Sequence, residues 1–399
     1  MQGRPRILES VGRLTATRLL YATPRVTRVL GIESSCDDTG AAVVDDCGNT
    51  LGDAIFSQGH IHRDTGGIVP PTAGKLHSEQ LPRVVNEALR KSRTSLQDIS
   101  AIAVTVGPGL ALCLKSGLSF AKDFALKTSK PLVPIHHMEA HALTARMIHK
   151  IQFPFLVLLV SGGHTLLAIA HSVNEFSRLG STLDDAVGEA FDKVSRMLRL
   201  HCHSEVGHLA GGPAIEELAK RGNADAFKMP LVLQQRRDCD FSFSGLKNAV
   251  RRVVIDEEKS STPHEPVARC EDIAASFQKA AVRHLVKRTH RAILYCRDVE
   301  PDARTLVVSG GVASNSYLRE ELSIVARQFK FDVVCPPPRL CTDNGIMIAW
   351  NGVEKLKSGY NPIFDFTDLE YKPRWPLGKD ISARVIQANI KATLTKRKQ

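Results

Sequence analysis

From Val29 to Val44 the chain reads VLGIESSCDDTGAAVV, and from Phe155 to Ala170 it reads FLVLLVSGGHTLLAIA. Each stretch is an apolar run, a turn of small polar residues and a second apolar run, which is the pattern of a β-hairpin. Because the plan occurs twice, we predict two lobes of similar topology. A nucleotide held in the cleft between such lobes could meet one hairpin tip from each side.

The remaining chain alternates strands with helices. Apolar strands are predicted at residues 99–106, 132–135 and 305–309, and helical patterns at residues 114–128, 184–193 and 273–295. Such alternation favours an α/β fold with largely parallel sheets covered by helices. We assign residues 29–150 to a first lobe, 151–376 to a second lobe and 377–399 to a basic C-terminal tail.

Length and composition limit the class of protein. A chain of 399 residues exceeds what one hydrophobic core usually supports, which agrees with two lobes. The sequence is 43% hydrophobic and 24% charged, and no apolar run approaches the roughly 20 residues of a membrane helix. Nine cysteines without a C-x-x-C pair predict neither a disulfide framework nor a cysteine zinc site. We therefore expect a soluble protein of a reducing compartment, without a membrane partner.

The net charge of +11 is concentrated at the two ends of the chain. Residues 1–32 carry six arginines and one acid, and the last nine residues carry four basic residues and no acid, which leaves +2 for the body. An arginine-rich, acid-poor start without a long apolar centre is typical of a mitochondrial transit peptide, which we place at residues 1–28. The alternative is a basic disordered arm. Any nucleic-acid site on the body must therefore be a local patch.

A histidine-rich stretch, IHHMEAH at residues 135–141, is followed by a helical pattern. If the helix begins there, His137 and His141 project from one face and could hold a metal ion. Zinc peptidases also space two histidines by four, but they place a glutamate directly after the first, where this chain has Met138. The alternative is a helix start whose ring nitrogens are all hydrogen bonded.

Other polar residues have both a structural and a functional interpretation. Asp343 precedes a helix and could be its N-cap, or it could complete a metal site of two imidazoles and one carboxylate. Asp185, Glu189 and Asp192 share a helical face that could be solvated or could lie beside a ribose. Ser-Gly-Gly turns at Ser161 and Ser309 would let a phosphate approach the backbone, and the helix after the second turn would offer free amides to an anion. Neither turn matches a P-loop.

Taken together, the motifs resemble one family, the tRNA N6-adenosine threonylcarbamoyltransferases, or TsaD-like proteins, once described as O-sialoglycoprotein endopeptidases. The matching segments occur in order between residues 29 and 376: Gly31 to Thr39, His136 to His141, Leu159 to Thr165, Gly188 to Lys193, Asp240 to Lys247, Ser309 to Asn315 and Cys341 to Gly345. With its arginine-rich start, the chain is similar to the mitochondrial member of the family.

This resemblance implies a two-lobed actin/Hsp70/sugar-kinase-like (ASKHA, ribonuclease H-like) fold with the active site between the lobes. It also implies transfer of the threonylcarbamoyl group from threonylcarbamoyl-AMP to N6 of the adenosine 3′ of the anticodon, in mitochondrial tRNAs that read ANN codons. The implied metal ligands are His137, His141 and Asp343. The implied substrate-binding residues are Leu159, Val160, Ser161, Gly162, Gly163, Asp192, Gly212, Glu216, Ser314, Asn315 and Thr342.

The resemblance further implies one divalent metal ion per subunit, a homodimer, and a location in the mitochondrial matrix. Iron, zinc and magnesium all suit imidazole and carboxylate ligands. We expect the three ligands to come from opposite lobes. No catalytic base is identified, and Glu33 and Glu139 are only candidates. The rival functions are a metallopeptidase, an ATPase or phosphotransferase of the same fold, and a non-catalytic nucleotide-sensing scaffold.

Overall fold

The computed structural model describes residues 26–64, 67–257 and 265–393. The predicted transit peptide lies almost wholly outside these residues, and so does the end of the basic tail. The strands are β1 (Arg28–Glu33), β2 (Asp38–Asp45), β3 (Thr50–Ser57), β4 (Ala101–Gly107), β5 (Leu132–His136), β6 (Phe155–Val160), β7 (Thr165–Ala170), β8 (Phe176–Ser181), β9 (Thr305–Ser309), β10 (Asp332–Val334) and β11 (Lys379–Asp380). The helices are α1 (Gly59–Asp64), α2 (Pro70–Ser92), α3 (Ala111–Thr128), α4 (His137–Ile148), α5 (Val187–Met197), α6 (Gly211–Ala219), α7 (Ser244–Glu257), α8 (Cys270–Val299), α9 (Ser316–Gln328), α10 (Pro338–Cys341), α11 (Gly345–Lys357) and α12 (Ser382–Ala388).

The strands form two sheets with the same internal order. The first sheet runs β3-β2-β1-β4-β5, and the second runs β10-β9-β6-β7-β8 with β11 added at its edge. In both, the first strand pairs antiparallel with the next strand of the chain and parallel with the strand that follows a long connection. The predicted duplication is thus confirmed.

The helices α4 and α11 lie where the two lobes meet. Ala140 of α4 packs with the first sheet, whereas Met138 and Leu143 of the same helix pack with the second. Helix α11 packs closely on β1 and β2, since a Cβ on Gly31 would lie 2.3 Å from the backbone of Ala349. The division at residue 150 therefore separates the two sheets, but residues 345–357 belong to the first lobe.

Two helices differ from the sequence expectation. The acidic helix starts at Val187, not at residue 184, because the Asp184 carboxylate accepts hydrogen bonds from the Ser242 hydroxyl, the Phe243 amide and the Ser244 hydroxyl. The helix predicted at residues 273–295 runs from residue 270 to 299 and buries several of its basic side chains. Among the described residues, no helix is both long and apolar enough to cross a bilayer.

Candidate metal centre

The histidine pair lies at the first turn of α4. The helix begins at His137, and the side chain of His136 caps it by accepting a hydrogen bond from the amide of Met138. His137 and His141 are therefore one turn apart on one face, and their rings are 4.7 Å apart between centroids. Both side chains are buried. The predicted geometry of the pair is confirmed.

Asp343 faces both histidines. Its Oδ1 lies 3.0 Å from Nε2 of His141 and 3.6 Å from Nε2 of His137. The cap of α11 is not Asp343 but Asn344, whose side chain accepts a hydrogen bond from the amide of Met347. The carboxylate of Asp343 is thus not used by the helix, and one ligand atom from each of the three residues lies within 4.8 Å of the others. The distances and the donor types fit a metal ion.

The origin of these ligands differs from the expectation of opposite lobes. Asp343 directly precedes α11, which packs on the first sheet, and the two histidines follow β5 of the same sheet. All three side chains are therefore presented by elements of the first lobe.

Glu33, at the end of β1, supports the pair from behind. Its Oε2 lies 3.3 Å from Nδ1 of His137 and accepts a 2.6 Å hydrogen bond from the Thr105 hydroxyl. Its Oε1 accepts a hydrogen bond from the amide of Ser35. A carboxylate on the second ring nitrogen of a histidine fixes its tautomer and leaves Nε2 free to bind a metal. This contact favours the metal interpretation over a helix start with satisfied rings.

The electrostatics of the cluster follow from burial and close charges. Burial alone would lower the pKa of His137, but Asp343 and Glu33 raise it to about 9. Burial opposes ionisation of Asp343, yet the neighbouring imidazoles hold its pKa well below the ordinary value. The buried Nδ1 of His141 has no hydrogen-bond partner among the described residues. Carboxylates and imidazoles are therefore in close contact in this buried cluster. A cation would bind there by displacing the protons of the imidazoles.

The second lobe contributes the turn of the β6–β7 hairpin above this cluster. The ring of His164 lies 6.2 Å from that of His137 between centroids, and burial followed by the two neighbouring histidines lowers its pKa to about 4. A Cβ on Gly162 or Gly163 would meet no atom within 4 Å, so the tip is open to a ligand. His164 lies within a matching motif, but no sequence pattern predicted a role for it.

The corresponding tip of the first lobe is filled by protein. The Ser34 hydroxyl donates to the carbonyl of Cys113, and the Ser35 hydroxyl lies 3.1 Å from Nδ1 of His137. A Cβ on Gly117 would lie 2.0 Å from Oγ of Ser34. The two hairpin tips are thus alike in sequence but differ in structure: the first contacts His137, whereas the second borders open space.

The two Ser-Gly-Gly turns lie side by side because Leu159 pairs with Ser309 in the second sheet. Gly310 has a φ of +100°, and a Cβ there would lie 2.4 Å from the carbonyl oxygen of Val160. A Cβ on Gly311 would meet nothing within 4 Å. Gly310 is therefore required by the close approach of the turns, whereas Gly311 borders open space.

The other predicted substrate residues gather beside these turns. Asp192 accepts a hydrogen bond from the amide of Gly212, and burial raises its pKa. Glu216 accepts hydrogen bonds from the amide and the hydroxyl of Ser316, at 2.8 and 2.5 Å. Ser314 hydrogen bonds to Cys341, and the exposed Thr342 follows in the chain. Of the predicted stretch from Leu159 to Gly163, Leu159 and Val160 are buried in the second sheet, whereas Gly162 and Gly163 are exposed.

Helix α9 differs from the expectation that its first amides are free for an anion. Asn315 caps the helix by accepting from the amide of Leu318, and its own amide group donates to Gln278. Because Glu216 accepts a hydrogen bond from the amide of Ser316, the amides of Ser316 and Leu318 in the first turn both already have partners. The open glycine turns, rather than the helix end, are left to contact an anion.

The two candidate bases are both engaged. The carboxylate of Glu139 lies 2.9 Å from the ammonium of Lys355 on α11, and Glu33 is fully buried behind His137. A carboxylate that the sequence analysis did not single out is Asp38, at the start of β2. Burial raises its pKa to about 7, and its Oδ1 has no hydrogen-bond partner in the described chain.

Comparison with known proteins identifies the family of the chain. The model of the family "TsaD: tRNA N6-adenosine threonylcarbamoyltransferase" matches residues 49–350. The chain is 53% identical over 368 residues to the mitochondrial tRNA N6-adenosine threonylcarbamoyltransferase of Rattus norvegicus, covering 91% of this chain and 89% of that protein. The Homo sapiens protein of the same name is 52% identical over the same shares. A protein of Arabidopsis thaliana described as probable is 45% identical, covering 88% of this chain and 75% of that one.

Among solved structures, full-length HypF in its phosphate- and nucleotide-bound form is similar with a TM-score of 0.51 and 14% identity, covering 84% of this chain and 47% of HypF. That likeness concerns the fold alone and agrees with the two-lobed ASKHA-type α/β architecture. The sequence matches decide the family. This chain belongs to the tRNA N6-adenosine threonylcarbamoyltransferase family.

Proposed function

We propose that this protein transfers the threonylcarbamoyl group of threonylcarbamoyl-AMP to N6 of the adenosine 3′ of the anticodon in mitochondrial tRNAs that read ANN codons. The observation that carries the proposal is the juxtaposition of His137, His141 and Asp343 with an open glycine turn, in a chain half identical to transferases of that name. The mitochondrial names of these relatives and the arginine-rich start support a mitochondrial location.

The chemistry requires orientation more than a covalent nucleophile. The donor is a mixed anhydride of a carbamate and a phosphate and is already activated, so the protein must align it and stabilise negative charge on its oxygens. We assign this role to the amides of the turn at Ser161 to Gly163 and to the neighbouring turn at Gly311. We assign to Asp192 and Glu216, on α5 and α6, the role of accepting hydrogen bonds from hydroxyl groups of the substrate.

His137, His141 and Asp343 would hold one divalent cation, for which iron, zinc and magnesium are all compatible. When bound, such an ion supplies a Lewis acid beside the anionic donor. Glu33 orients His137 through its second ring nitrogen. Family membership supports the reaction as a whole, and these assignments propose which residue carries out each part of it.

The amino group of adenine must lose a proton during the transfer. We assign its removal to Asp38, because its raised pKa lies near neutral pH and one of its oxygens has no hydrogen-bond partner. Glu139 is a weaker choice, since its carboxylate pairs with Lys355. We extend the proposal to a homodimer in the matrix, on the strength of the family resemblance.

The rival functions have less support. A peptidase of the two-histidine type needs a general base after its first histidine, and Met138 cannot serve as one. The test of the proposal is mass spectrometry of the nucleosides of an unmodified mitochondrial tRNA, after incubation with the protein and threonylcarbamoyl-AMP. We expect N6-threonylcarbamoyladenosine with the wild-type protein and none with His141→Ala. Normal modification by that variant would refute the metal-site assignment, and ATP turnover without tRNA would favour a phosphotransferase.

A further inference from the structure

Positive charge is concentrated on one face of the second lobe, where the middle of α8 meets the segment 230–237 and the C-terminal residues 389–393. A cavity of about 230 Å³ there is lined by Arg283, Lys287, His284, Gln234 and the backbone neighbours Ala392 and Thr393. The body of the chain between its basic ends has a net charge of only +2, so this cluster carries more positive charge than the average surface of the body.

The cations at this face outnumber the acids. Arg236, Arg237, Arg283 and Lys287 lie at the surface, with Arg288 and Arg291 buried beneath them. The carboxylates that neutralise this group, Asp238 and Asp240, pair with Arg236 and Arg288. Among the described residues, no carboxylate lies within ion-pair distance of Arg283 or Lys287. Burial and the charges of Arg288, Arg291 and Arg283 all lower the pKa of Lys287, as expected where like charges are gathered.

The buried arginines also make the face rigid. The guanidinium of Arg288 donates to the carbonyls of Leu233, Arg236 and Asp238. That of Arg291 donates to the carbonyls of Asp238 and Ile390. These bonds hold the segment 233–238 and the C-terminal residues around Ile390 against α8. Because the backbone beneath the surface cations is fixed in this way, only their side chains would have to be ordered when an anion binds.

The face is connected to the substrate side of the cleft by short contacts. Nε2 of His284, next to Arg283, accepts a hydrogen bond from the amide of Ser242. The hydroxyl of Ser242 donates to Asp184, which lies three residues before α5, the helix that carries Asp192. The basic face and the cleft therefore flank the same few loops of the second lobe.

We propose that Arg283 and Lys287, with Arg236 and Arg237 beside them, bind the sugar-phosphate backbone of the tRNA at a distance from the adenosine being modified. This inference rests on the proposed function. A cluster of guanidinium and ammonium groups in which Arg283 and Lys287 have no carboxylate partner among the described residues is suited to phosphates, which need charge and donors but no base recognition.

The test compares two double variants of the full chain. Arg283→Glu/Lys287→Glu reverses two charges on the proposed face, and Arg90→Glu/Lys127→Glu reverses two exposed charges on α2 and α3 of the first lobe. Fluorescence anisotropy with a labelled, unmodified tRNA is measured between 50 and 200 mM salt. For the first variant we expect affinity at least about tenfold weaker and a log–log salt slope reduced by about two. The control should keep the wild-type slope.

Steady-state kinetics separates this inference from the proposed function. We expect the Arg283→Glu/Lys287→Glu variant to raise the KM for tRNA without changing kcat, because the reacting groups are untouched. If this variant binds tRNA as tightly as the wild type and the wild type modifies tRNA, the proposed tRNA-binding face is wrong and the proposed function is unaffected. If the wild type neither binds nor modifies tRNA, both proposals are wrong. Arg283→Ala/Lys287→Ala, checked by thermal melting, guards against a folding defect from the charge reversal.

Discussion

Replacing Glu33 by glutamine tests whether the contact behind His137 organises a metal site. Glu33 accepts from the hydroxyl of Thr105, from the amide of Ser35 and from the ring of His137, so both of its oxygens face donors. Glutamine has the same shape but only one oxygen. Whichever way its amide points, an NH2 group must face a donor. We therefore expect His137 to lose its fixed tautomer and orientation.

The magnitude follows from the behaviour of such supporting carboxylates. Loss of a group that orients a metal-binding histidine typically weakens metal affinity about 10- to 100-fold, or about 1.4–2.8 kcal/mol. Affinity is measured by competition with a chromophoric chelator, using Zn²⁺ and Fe²⁺ in turn. The matched control is Glu139→Gln, a glutamate of α4 whose partner is Lys355 rather than a histidine. We expect its metal affinity to equal that of the wild type.

A Glu33→Gln variant that binds metal as tightly as the wild-type protein would refute this reasoning. So would equal losses in Glu33→Gln and Glu139→Gln, since the effect would then reflect general loosening of α4. Thermal melting of both variants without metal gives the stability that each substitution costs by itself.

Three further outcomes are expected. Asp38→Asn should retain metal binding but lose most transfer activity, and the rise of wild-type kcat with pH through about 7 should disappear, as measured by pH profiles of both proteins. Gly310→Ala should lower the free energy of unfolding by about 1–2 kcal/mol for its left-handed φ alone, with more from its contact with Val160, whereas Gly311→Ala should fold normally; urea titrations distinguish them. His284 is buried and its pKa is lowered to about 3, so it stabilises the folded protein above pH 6.5 and this stability is lost as the pH falls. We expect the free energy of unfolding to drop by up to about 2 kcal/mol at pH 5, and His284→Gln should make the free energy of unfolding depend less on pH.

Much of the architecture could be predicted from local patterns. The repeated hairpins predicted two lobes of one topology, and the spacing of His137 and His141 predicted a shared helical face; both are confirmed. These features depend on residues within a few positions of one another. Periodicity and turn chemistry are therefore sufficient to identify them.

Features that depend on distant residues could not be predicted in the same way. The start of α5 was misplaced because Asp184 finds its partners near residue 243, far along the chain. Arginines on a helix usually lie on its exposed face, but Arg288 and Arg291 are buried because they donate hydrogen bonds to backbone carbonyls of a separate loop. The sequence left open whether Asp343 caps α11 or binds a metal, and only the structure shows that Asn344 caps the helix while Asp343 faces the histidines.

The return of α11 to the first sheet has a consequence for biosynthesis. A nascent polypeptide that has reached residue 341 contains every strand of both five-stranded cores, but it lacks the carboxylate of Asp343 and the helix that covers β1 and β2. The earliest part of the chain thus stays incomplete until one of the last parts has emerged. Truncated translation products would retain the histidines without Asp343, so the proposed metal site would be complete only in a chain that extends past residue 343.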